Sequence, residues 1–300
     1  MTITVVGDPA ANPRYFRKLD EIGLDVHRVA TRPATQEQLA TVHTPSYLKR
    51  TADGYSEEWV GRRPDLVARA AASAGGALRA ANLIYRGDAR KVFVPDAGRP
   101  HAFVDSSDRG CVYNDLVLTA MWFRRRGWKV TVIDLDGLYA PALEQMLQPV
   151  RGVNTVSVHE VVGEDHAPFW SAGHESVCLP LNEFDTDGHF ISEVDHVIDV
   201  INFHLPEVIL LNVGVTGHES DELTTLYLTL DGIYEAVVRI SQAADEIAAS
   251  RMIGFGGIAS AGNEWASTIW ASATHAMSLP YLRSSAVRHA PRIITEETAK

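Results

Sequence analysis

Short apolar runs rich in β-branched residues alternate along the chain with longer segments of helical periodicity. The runs are apolar at successive positions, which is typical of strands buried on both faces of a parallel sheet. They are TITVVG, KVFVP, KVTVIDLD, VNTVSVH, EVILLNVG and RMIGFGG, which start at Thr2, Lys91, Lys129, Val153, Glu207 and Arg251. The helical patterns cover residues 62–86, 114–126, 141–147, 192–203 and 230–249.

This alternation predicts an α/β fold, with a central, mainly parallel sheet covered by helices on both faces in a three-layer domain. No repeat, low-complexity tract or long linker divides the sequence, so we expect one domain over residues 1–300. Parallel α/β sheets bind ligands beyond the carboxyl ends of their strands. That rule directs attention to the loops that begin at Asp96, Asp134, Gly214 and Gly254.

Composition indicates a globular protein, because 46% of the 300 residues are hydrophobic and 22% are charged. We expect neither a signal peptide nor a membrane span, since no basic segment precedes a long apolar run and no window of ~18 apolar residues exists. The two cysteines, Cys111 and Cys178, are too few for a disulfide framework. These features together predict a cytoplasmic protein.

The formal net charge of −11 argues against a nucleic-acid partner, which would require a concentrated basic face. The charge is uneven, because residues 151–300 carry 7 basic and 21 acidic side chains, a balance of −14. Two interpretations remain open. The acidic half has a solvated acidic surface, or it forms the rim of a pocket for a cationic ligand.

Six segments, in order along the chain, resemble motifs of the histone deacetylase family and of its bacterial acetoin-utilisation and acetylpolyamine-hydrolase relatives. Each motif alone is a weak signal, but six of them in the family's order predict its arginase/deacetylase-like fold. The segments are VHTPSYL (42–48), ASAGGALRAANLIYRG (72–87), RPHAFVDSSDRGCVYND (99–115), VIDLDGL (132–138), NVGVTGHESDEL (212–223) and GFGGIA (254–259).

The resemblance assigns three positions to catalytic zinc, and this chain has a usual zinc ligand at only one of them. Asp136 matches the first ligand, whereas Leu138 stands at the histidine position and Thr216 at the second aspartate position. Leucine has no donor atom, and a neutral hydroxyl is a poor zinc ligand. We therefore expect no catalytic zinc and no other cofactor. A structural monovalent cation near Asp134, which the resemblance implies, is left open.

The family's other catalytic positions have also changed. Pro100 replaces the first of two tandem histidines and His101 remains at the second, which the family uses as general base. Ile258 replaces the tyrosine that polarises the substrate carbonyl, and an alkyl group cannot stabilise an oxyanion. Tyr139 occupies another position that is normally histidine. Two of the three zinc ligands, the tyrosine that polarises the carbonyl and one of the two tandem histidines are therefore all replaced in this chain.

The candidate catalytic residues are His101 as base, Asp136 as its partner or acid, and Asp134, for which a structural role is the alternative. Cys111 has two interpretations, a nucleophile activated by a neighbouring imidazole or a buried structural thiol. His218 matches a position that is not a ligand in the family. The remaining predicted pocket residues are Pro100, Leu138, Tyr139, Thr216 and Ile258.

Three functional hypotheses follow, and the first is metal-independent acid/base or covalent catalysis on a small molecule in the inherited pocket. The second is a non-catalytic protein that binds a ligand or a partner protein. The third is hydrolysis of acylated amines at a rebuilt metal site. Ligands for that site would come from HEVVGEDH (159–166) and from His174 or His218. A homo-oligomer is left open.

Overall fold

The computed structural model describes residues 2–281, except for residues 57, 60, 162–175 and 261. Eight strands of the described chain form one sheet in which every pairing is parallel. They are β1 (Ile3–Val6), β2 (Val26–Val29), β3 (Lys91–Val94), β4 (Val130–Asp134), β5 (Val153–Glu160), β6 (Ser176–Leu181), β7 (Val208–Asn212) and β8 (Met252–Phe255). The spatial order is β2-β1-β3-β8-β7-β4-β5-β6.

Helices cover both faces of this sheet and bury two separate apolar cores. One core includes residues of α1, α7, α8 and α9, and the other includes residues of α4, α5 and α6. The helices are α1 (Pro13–Glu21), α2 (Gln36–Leu39), α3 (Pro45–Ala52), α4 (Pro64–Arg86), α5 (Asp115–Arg124), α6 (Pro141–Leu147), α7 (Asp187–His204), α8 (Leu230–Ile247) and α9 (Ala266–Ser278). The predicted three-layer α/β architecture is confirmed.

The six apolar runs all form strands, with two differences at their ends. Asp134 is the last residue of β4 rather than the first residue of a loop, and Gly254 lies inside β8. In β8 the pairing continues through Phe255, which lies opposite Asn212 of β7. The sequence patterns did not indicate β2 or β6.

The chain changes direction within the sheet between β4 and β7, which are neighbours. From β4 the chain continues to β5 on one side, and from β7 it continues to β8 on the other side. The connections beyond the carboxyl ends of these two strands therefore diverge, and α/β folds bind ligands at such a position, which we call the β4–β7 crevice. Asp134 and Asn212 end the two strands and lie opposite each other in register. The candidate site is built at this position.

Among the described residues, no helix is both long enough and apolar enough to cross a membrane.

Candidate functional site

Asp134 links the ends of β4 and β7 through hydrogen bonds. Its Oδ1 accepts one bond from Asn212 Nδ2 at 2.8 Å and another from the backbone N–H of Asp136 at 3.1 Å. Its Oδ2 is buried and has no hydrogen-bond partner among the described residues. Burial raises the pKa of Asp134, and the nearby Asp136 raises it further. These contacts assign Asp134 at least a structural role.

Asp136 is fully buried, and both of its carboxylate oxygens accept hydrogen bonds. Thr216 Oγ1 donates to Oδ1, and the backbone N–H of Ile258 donates to Oδ2 at 3.3 Å. Burial raises the pKa of Asp136, while these bonds stabilise the carboxylate and oppose the rise. Gly214 makes the close approach feasible, because a Cβ there would lie 2.6 Å from Asp136 Cα.

A small apolar cluster adjoins Asp136 at the centre of the predicted pocket. It consists of Ala102, Cys111 and Ile258, with the half-buried Leu138 packed against them. Burial raises the pKa of the Cys111 thiol to about 12, so it is protonated at neutral pH. Of the two interpretations of Cys111, the surroundings therefore favour a structural thiol over a nucleophile.

His101 is fully buried, and neither of its ring nitrogens has a hydrogen-bond partner in the part of the chain that the structure describes. Burial lowers the pKa of His101 to about 4, and the positive charge of Arg109 contributes in the same direction. The imidazole is therefore the free base at neutral pH. Buried polar groups without partners are uncommon, and catalytic groups are among the recognised exceptions.

Asn114 holds the loop that carries His101. Its Nδ2 donates to the carbonyl oxygens of Pro100 at 2.7 Å and Ala102 at 3.0 Å, on either side of His101. The Oδ1 of the same side chain caps α5 by accepting from the N–H of Val117 at 3.0 Å. The sequence motif included Asn114, but sequence reasoning assigned it no role.

Asp115 fixes the preceding part of the same loop. It accepts hydrogen bonds from the backbone N–H groups of Gly98 and Arg99, at 3.1 and 2.8 Å, and from Ser73 Oγ at 2.7 Å. Ser73 belongs to α4, so Asp115 joins two helices to this loop. Together with Asn114, it limits the freedom of the backbone on which His101 lies.

Tyr139 contacts residues of α6 and β5. Its hydroxyl donates to Glu144 Oε2 at 2.5 Å, and its ring centroid lies 4.6 Å from that of His159. The Nδ1 of His159 lies 2.8 Å from Ser157 Oγ. Glu160, also considered for a rebuilt metal site, accepts from the N–H of Thr225 at 3.0 Å. Tyr139, His159 and Glu160 are thus all engaged with neighbouring side chains or backbone.

His218 is buried in the connection that follows β7. Its Nδ1 accepts from the N–H of Ser220 at 3.1 Å, and its ring lies 5.2 Å from the Trp265 ring. Burial lowers the pKa of His218 to about 4. Three residues further on, Asp221 Oδ2 accepts hydrogen bonds from Ser260 and Asn263 and so ties this connection to the loop after β8.

The donor atoms near Asp136 do not form a usual zinc site. Leu138 contributes hydrocarbon only, and the Thr216 hydroxyl proton is already donated to Asp136. Among the described residues, no group of three His, Cys, Asp or Glu side chains is arranged to hold a metal ion. Glu164, His166 and His174 of the alternative metal site lie outside the described residues.

The parallel sheet, its strand order and the residues at the β4–β7 crevice define a protein of the arginase/deacetylase-like class. The histone deacetylase domain family matches residues 9–273 of the chain, so the protein belongs to that family. The predicted family resemblance is therefore confirmed.

The chain is similar to bacterial acetoin utilization proteins. The protein AcuC of Staphylococcus aureus (strain MRSA252) is 26% identical over an alignment of 255 residues, and the match covers 76% of this chain and 65% of that protein. The AcuC of Bacillus subtilis (strain 168) is 25% identical over 254 residues, with the same two shares. The matched region thus spans less than two thirds of the length of these relatives.

Proposed function

We propose that this deacetylase-family protein acts on a small molecule by acid/base chemistry that requires no zinc. The three positions that hold zinc in the family contain Asp136, Leu138 and Thr216, of which only Asp136 is a strong donor. Both oxygens of Asp136 already accept hydrogen bonds within the chain. A divalent cation would have to displace those bonds and would gain too few ligands in return.

One observation carries the catalytic part of the proposal: the buried imidazole of His101 has no hydrogen-bond partner among the described residues. Its lowered pKa, about 4, makes the ring a free base at neutral pH. A bound substrate with an acidic C–H, N–H or O–H group would supply the missing partner. In the proposed step a ring nitrogen accepts that proton.

Asp136 is the proposed acid. It hydrogen-bonds to the N–H of Ile258, a member of the apolar cluster that also includes Ala102, the residue after His101. Burial raises the pKa of Asp136 while it lowers that of His101. Environments that push two pKa values apart in this way separate an acid from a base. In the proposed step the protonated form of Asp136 donates its proton to the substrate atom that gains charge, and Thr216 and the N–H of Ile258 stabilise the carboxylate that results.

A non-catalytic role is the second candidate, favoured by the burial of the same residues. His101, Asp136 and Thr216 are each 0% exposed, and the N–H that bonds to Asp136 belongs to Ile258, a member of an apolar cluster against which Leu138 packs. A protein that only binds a ligand or partner through another surface would need no path to His101. The two candidates differ in whether exchanging His101 affects any activity.

We also propose that a monovalent cation stabilises the ends of β4 and β7. Asp134 Oδ2 and Asn212 Oδ1 are buried acceptors without partners among the described residues, and the two side chains are hydrogen-bonded to each other. These oxygens would hold the ion, whose charge would favour ionised Asp134. The expected result is a higher melting temperature in potassium chloride than in choline chloride of equal concentration. Equal melting temperatures would contradict this assignment.

The experiment for the main proposal combines metal analysis with an activity screen. Purified protein is analysed for zinc and iron, then assayed on acylated amines and on small carbonyl compounds, with and without a chelator. We expect turnover that persists in chelator and is lost in His101→Ala. The control is His27→Ala, at an exposed histidine of the edge strand β2.

Two outcomes would contradict the main proposal. Stoichiometric metal whose removal abolishes hydrolysis of an acylated amine would revive the rebuilt metal site. Activity that is unchanged in a folded His101→Ala variant would remove the acid/base mechanism. Absence of turnover on every compound would favour the non-catalytic candidate.

A further inference from the structure

Three aromatic rings and two arginines form a cluster at the amino end of the sheet. The Tyr85 ring centroid lies 5.6 Å from that of Trp122 and 5.3 Å from that of Trp128. Arg126 Cζ lies 3.4 Å from the Trp122 ring centroid, and Arg251 Cζ lies 4.6 Å from the Trp128 ring centroid. Trp128 and Arg251 lie just before β4 and β8. We call these five residues the basic–aromatic surface.

The basic–aromatic surface is open to a partner. Tyr85, at its centre, is 43% exposed, Arg126 is exposed, and the other three residues are half-buried. Tryptophan, tyrosine and arginine are enriched at protein–protein interfaces and among the residues that contribute most of the binding energy there. This composition therefore favours a protein partner.

The net charge of this surface is positive. Neither Arg126 nor Arg251 forms an ion pair with another described residue. Burial lowers the pKa of Arg251 and the positive charge of Arg90 lowers it further, while Glu207 opposes these effects. Two acidic side chains of the neighbouring segments already form ion pairs, Asp88 with Arg86 at 3.4 Å and Asp245 with Lys91 at 2.8 Å. A partner with carboxylate groups would therefore be complementary.

A surface of opposite charge lies at the carboxyl end of the same sheet. Phe184 and Tyr227 are 59% and 50% exposed, and their ring centroids lie 6.0 Å apart in a stacked arrangement. The N–H of Tyr227 donates to the carbonyl of Asp185 at 2.9 Å, and that of Glu219 donates to the carbonyl of the residue after Tyr227 at 2.9 Å. Glu183 and Glu219 are exposed. We call Glu183, Phe184, Glu219 and Tyr227 the acidic–aromatic surface.

The acidic side chains of this second surface are not offset by basic residues close in sequence. Residues 152–238 contain 16 Asp and Glu and no Lys or Arg. Arg239, the first basic residue after this range, is already paired with two carboxylates at 2.5 and 2.6 Å. His189 contacts Asp185 at 2.7 Å, but Glu183 and Glu219 form no ion pair within the part of the chain that the structure describes.

We propose that the basic–aromatic surface of one copy of this chain binds the acidic–aromatic surface of a second copy. The two surfaces have opposite charge, and each presents exposed aromatic rings. One lies before β4 and β8 and the other follows β6 and β7, at opposite ends of an all-parallel sheet. The contact is therefore heterologous, and its repetition joins copies head to tail. It does not depend on the chemistry proposed for His101.

Sedimentation velocity of the full chain at two salt concentrations tests the role of charge. The net charge of −11 opposes association, whereas the two surfaces attract each other. At about 0.15 M salt we expect oligomers whose size increases with protein concentration. At about 1 M salt, where the screening length falls from about 8 to about 3 Å, they should dissociate. Association that strengthens with salt would contradict the proposal.

Two variants test the basic–aromatic surface. Arg126→Glu should weaken self-association about tenfold. Because Arg126 also donates to the Trp122 carbonyl at 2.8 Å, Tyr85→Glu provides a second test that leaves this bond in place, with the same expected loss. Lys49→Glu, at an exposed lysine of α3, makes the same change of charge as Arg126→Glu and should leave self-association unchanged.

A mixing experiment tests whether the two surfaces bind each other. The double variant Glu183→Gln with Glu219→Gln neutralises the acidic–aromatic surface and should associate as weakly as Arg126→Glu. Each of these proteins keeps one intact surface, so an equimolar mixture should form a 1:1 dimer and no larger species. Three outcomes would each overturn the proposal: a natural chain that stays monomeric, unchanged association in both folded variants of the basic–aromatic surface, or a mixture that forms no dimer.

Discussion

The hydroxyl of Thr216 donates a hydrogen bond to the carboxylate of Asp136. This contact joins the connections that follow β7 and β4, across the crevice where the chain diverges. A carboxylate at position 216 would instead repel Asp136, unless a cation lay between them. The neutral hydroxyl therefore stabilises the crevice in the absence of a divalent ion.

The first prediction is that two substitutions together create a zinc site at Asp136. In Leu138→His with Thr216→Asp, the new imidazole and carboxylate join Asp136 as a three-ligand set. We expect zinc affinity about 100-fold above that of either single variant, because each missing ligand weakens the site strongly. Metal analysis after desalting measures the stoichiometry. Added zinc should also raise the melting temperature of the double variant, because it neutralises the added carboxylate.

The control for this experiment is the pair Leu138→Asn and Thr216→Asn, which introduces polar side chains with weaker zinc ligands. It should bind no more zinc than the natural chain. If the natural chain kept one zinc per molecule after treatment with a chelator, the expectation that its own residues do not hold catalytic zinc would be wrong.

The second prediction concerns acid sensitivity. The pKa of His101 is lowered from 6.5 to about 4, so the unfolded chain binds more protons than the folded chain between these values. The contribution of neutral His101 to stability is complete above about pH 6.5 and is lost as the pH falls toward 4. His101→Gln removes this dependence. Between pH 7 and pH 5 the free energy of unfolding should fall in both proteins. The fall should be about 2 kcal/mol larger in the natural chain than in His101→Gln.

Urea unfolding at the two pH values measures this difference. His27→Gln is the matched control, because it makes the same exchange at an exposed histidine. Identical pH dependence in the natural chain and His101→Gln would show that His101 is not buried in its neutral form.

The third prediction tests the role of Asn114. Asn114→Ala removes a helix cap and leaves the carbonyls of Pro100 and Ala102 without their donor, so we expect a loss of about 3 kcal/mol. Asn114→Ser keeps a capping oxygen and should recover about 1 kcal/mol. In both variants amide hydrogen exchange in the loop around His101 should accelerate.

A different helix cap separates the two functions of Asn114. Thr229→Ala removes the cap of α8, where Thr229 accepts from the N–H of Gly232 at 3.3 Å. It should lower stability and leave exchange in the His101 loop unchanged. Faster exchange in that loop after Thr229→Ala would mean that Asn114 has no specific role.

The fourth prediction concerns the loop after β3, which closely approaches the carboxyl ends of β7 and β8. Gly98 has φ +102°, and a Cβ there would lie 2.3 Å from Asn212 Oδ1 and 2.5 Å from the N of Gly257. Gly98→Ala should therefore lower the free energy of unfolding by more than about 3 kcal/mol. At Gly87, with φ +78° and open space around it, alanine should cost only about 1 to 2 kcal/mol. Thermal unfolding of both variants measures the contrast, and equal losses would contradict it.

The central strands could be predicted from sequence because they are buried on both faces. β2 and β6 are edge strands, and each lacks that signal for a physical reason. In β2 the residues His27 and Arg28 are exposed, so no continuous apolar run forms. β6 contains Pro180, which argues against a strand except at an edge.

The candidate site was partly predictable. Asp134, Asp136 and Thr216 were named from motifs, and the structure brings Thr216 into contact with Asp136. The roles of Asn114 and Asn212 were missed, because an amide at the end of a strand or helix has no distinctive spacing. The position of Asn212 opposite Asp134 depends on the order of strands, which local sequence patterns do not contain.

The reversal of chain direction between β4 and β7 also bears on how this protein could change over evolution. A crevice that results from connectivity is preserved under any substitution of the side chains that fill it. The residues that depart from the family's pattern, such as Leu138 and Ile258, lie beyond the strands whose packing determines folding. New reactivity on this backbone therefore requires replacement of a few loop residues and no rearrangement of the sheet.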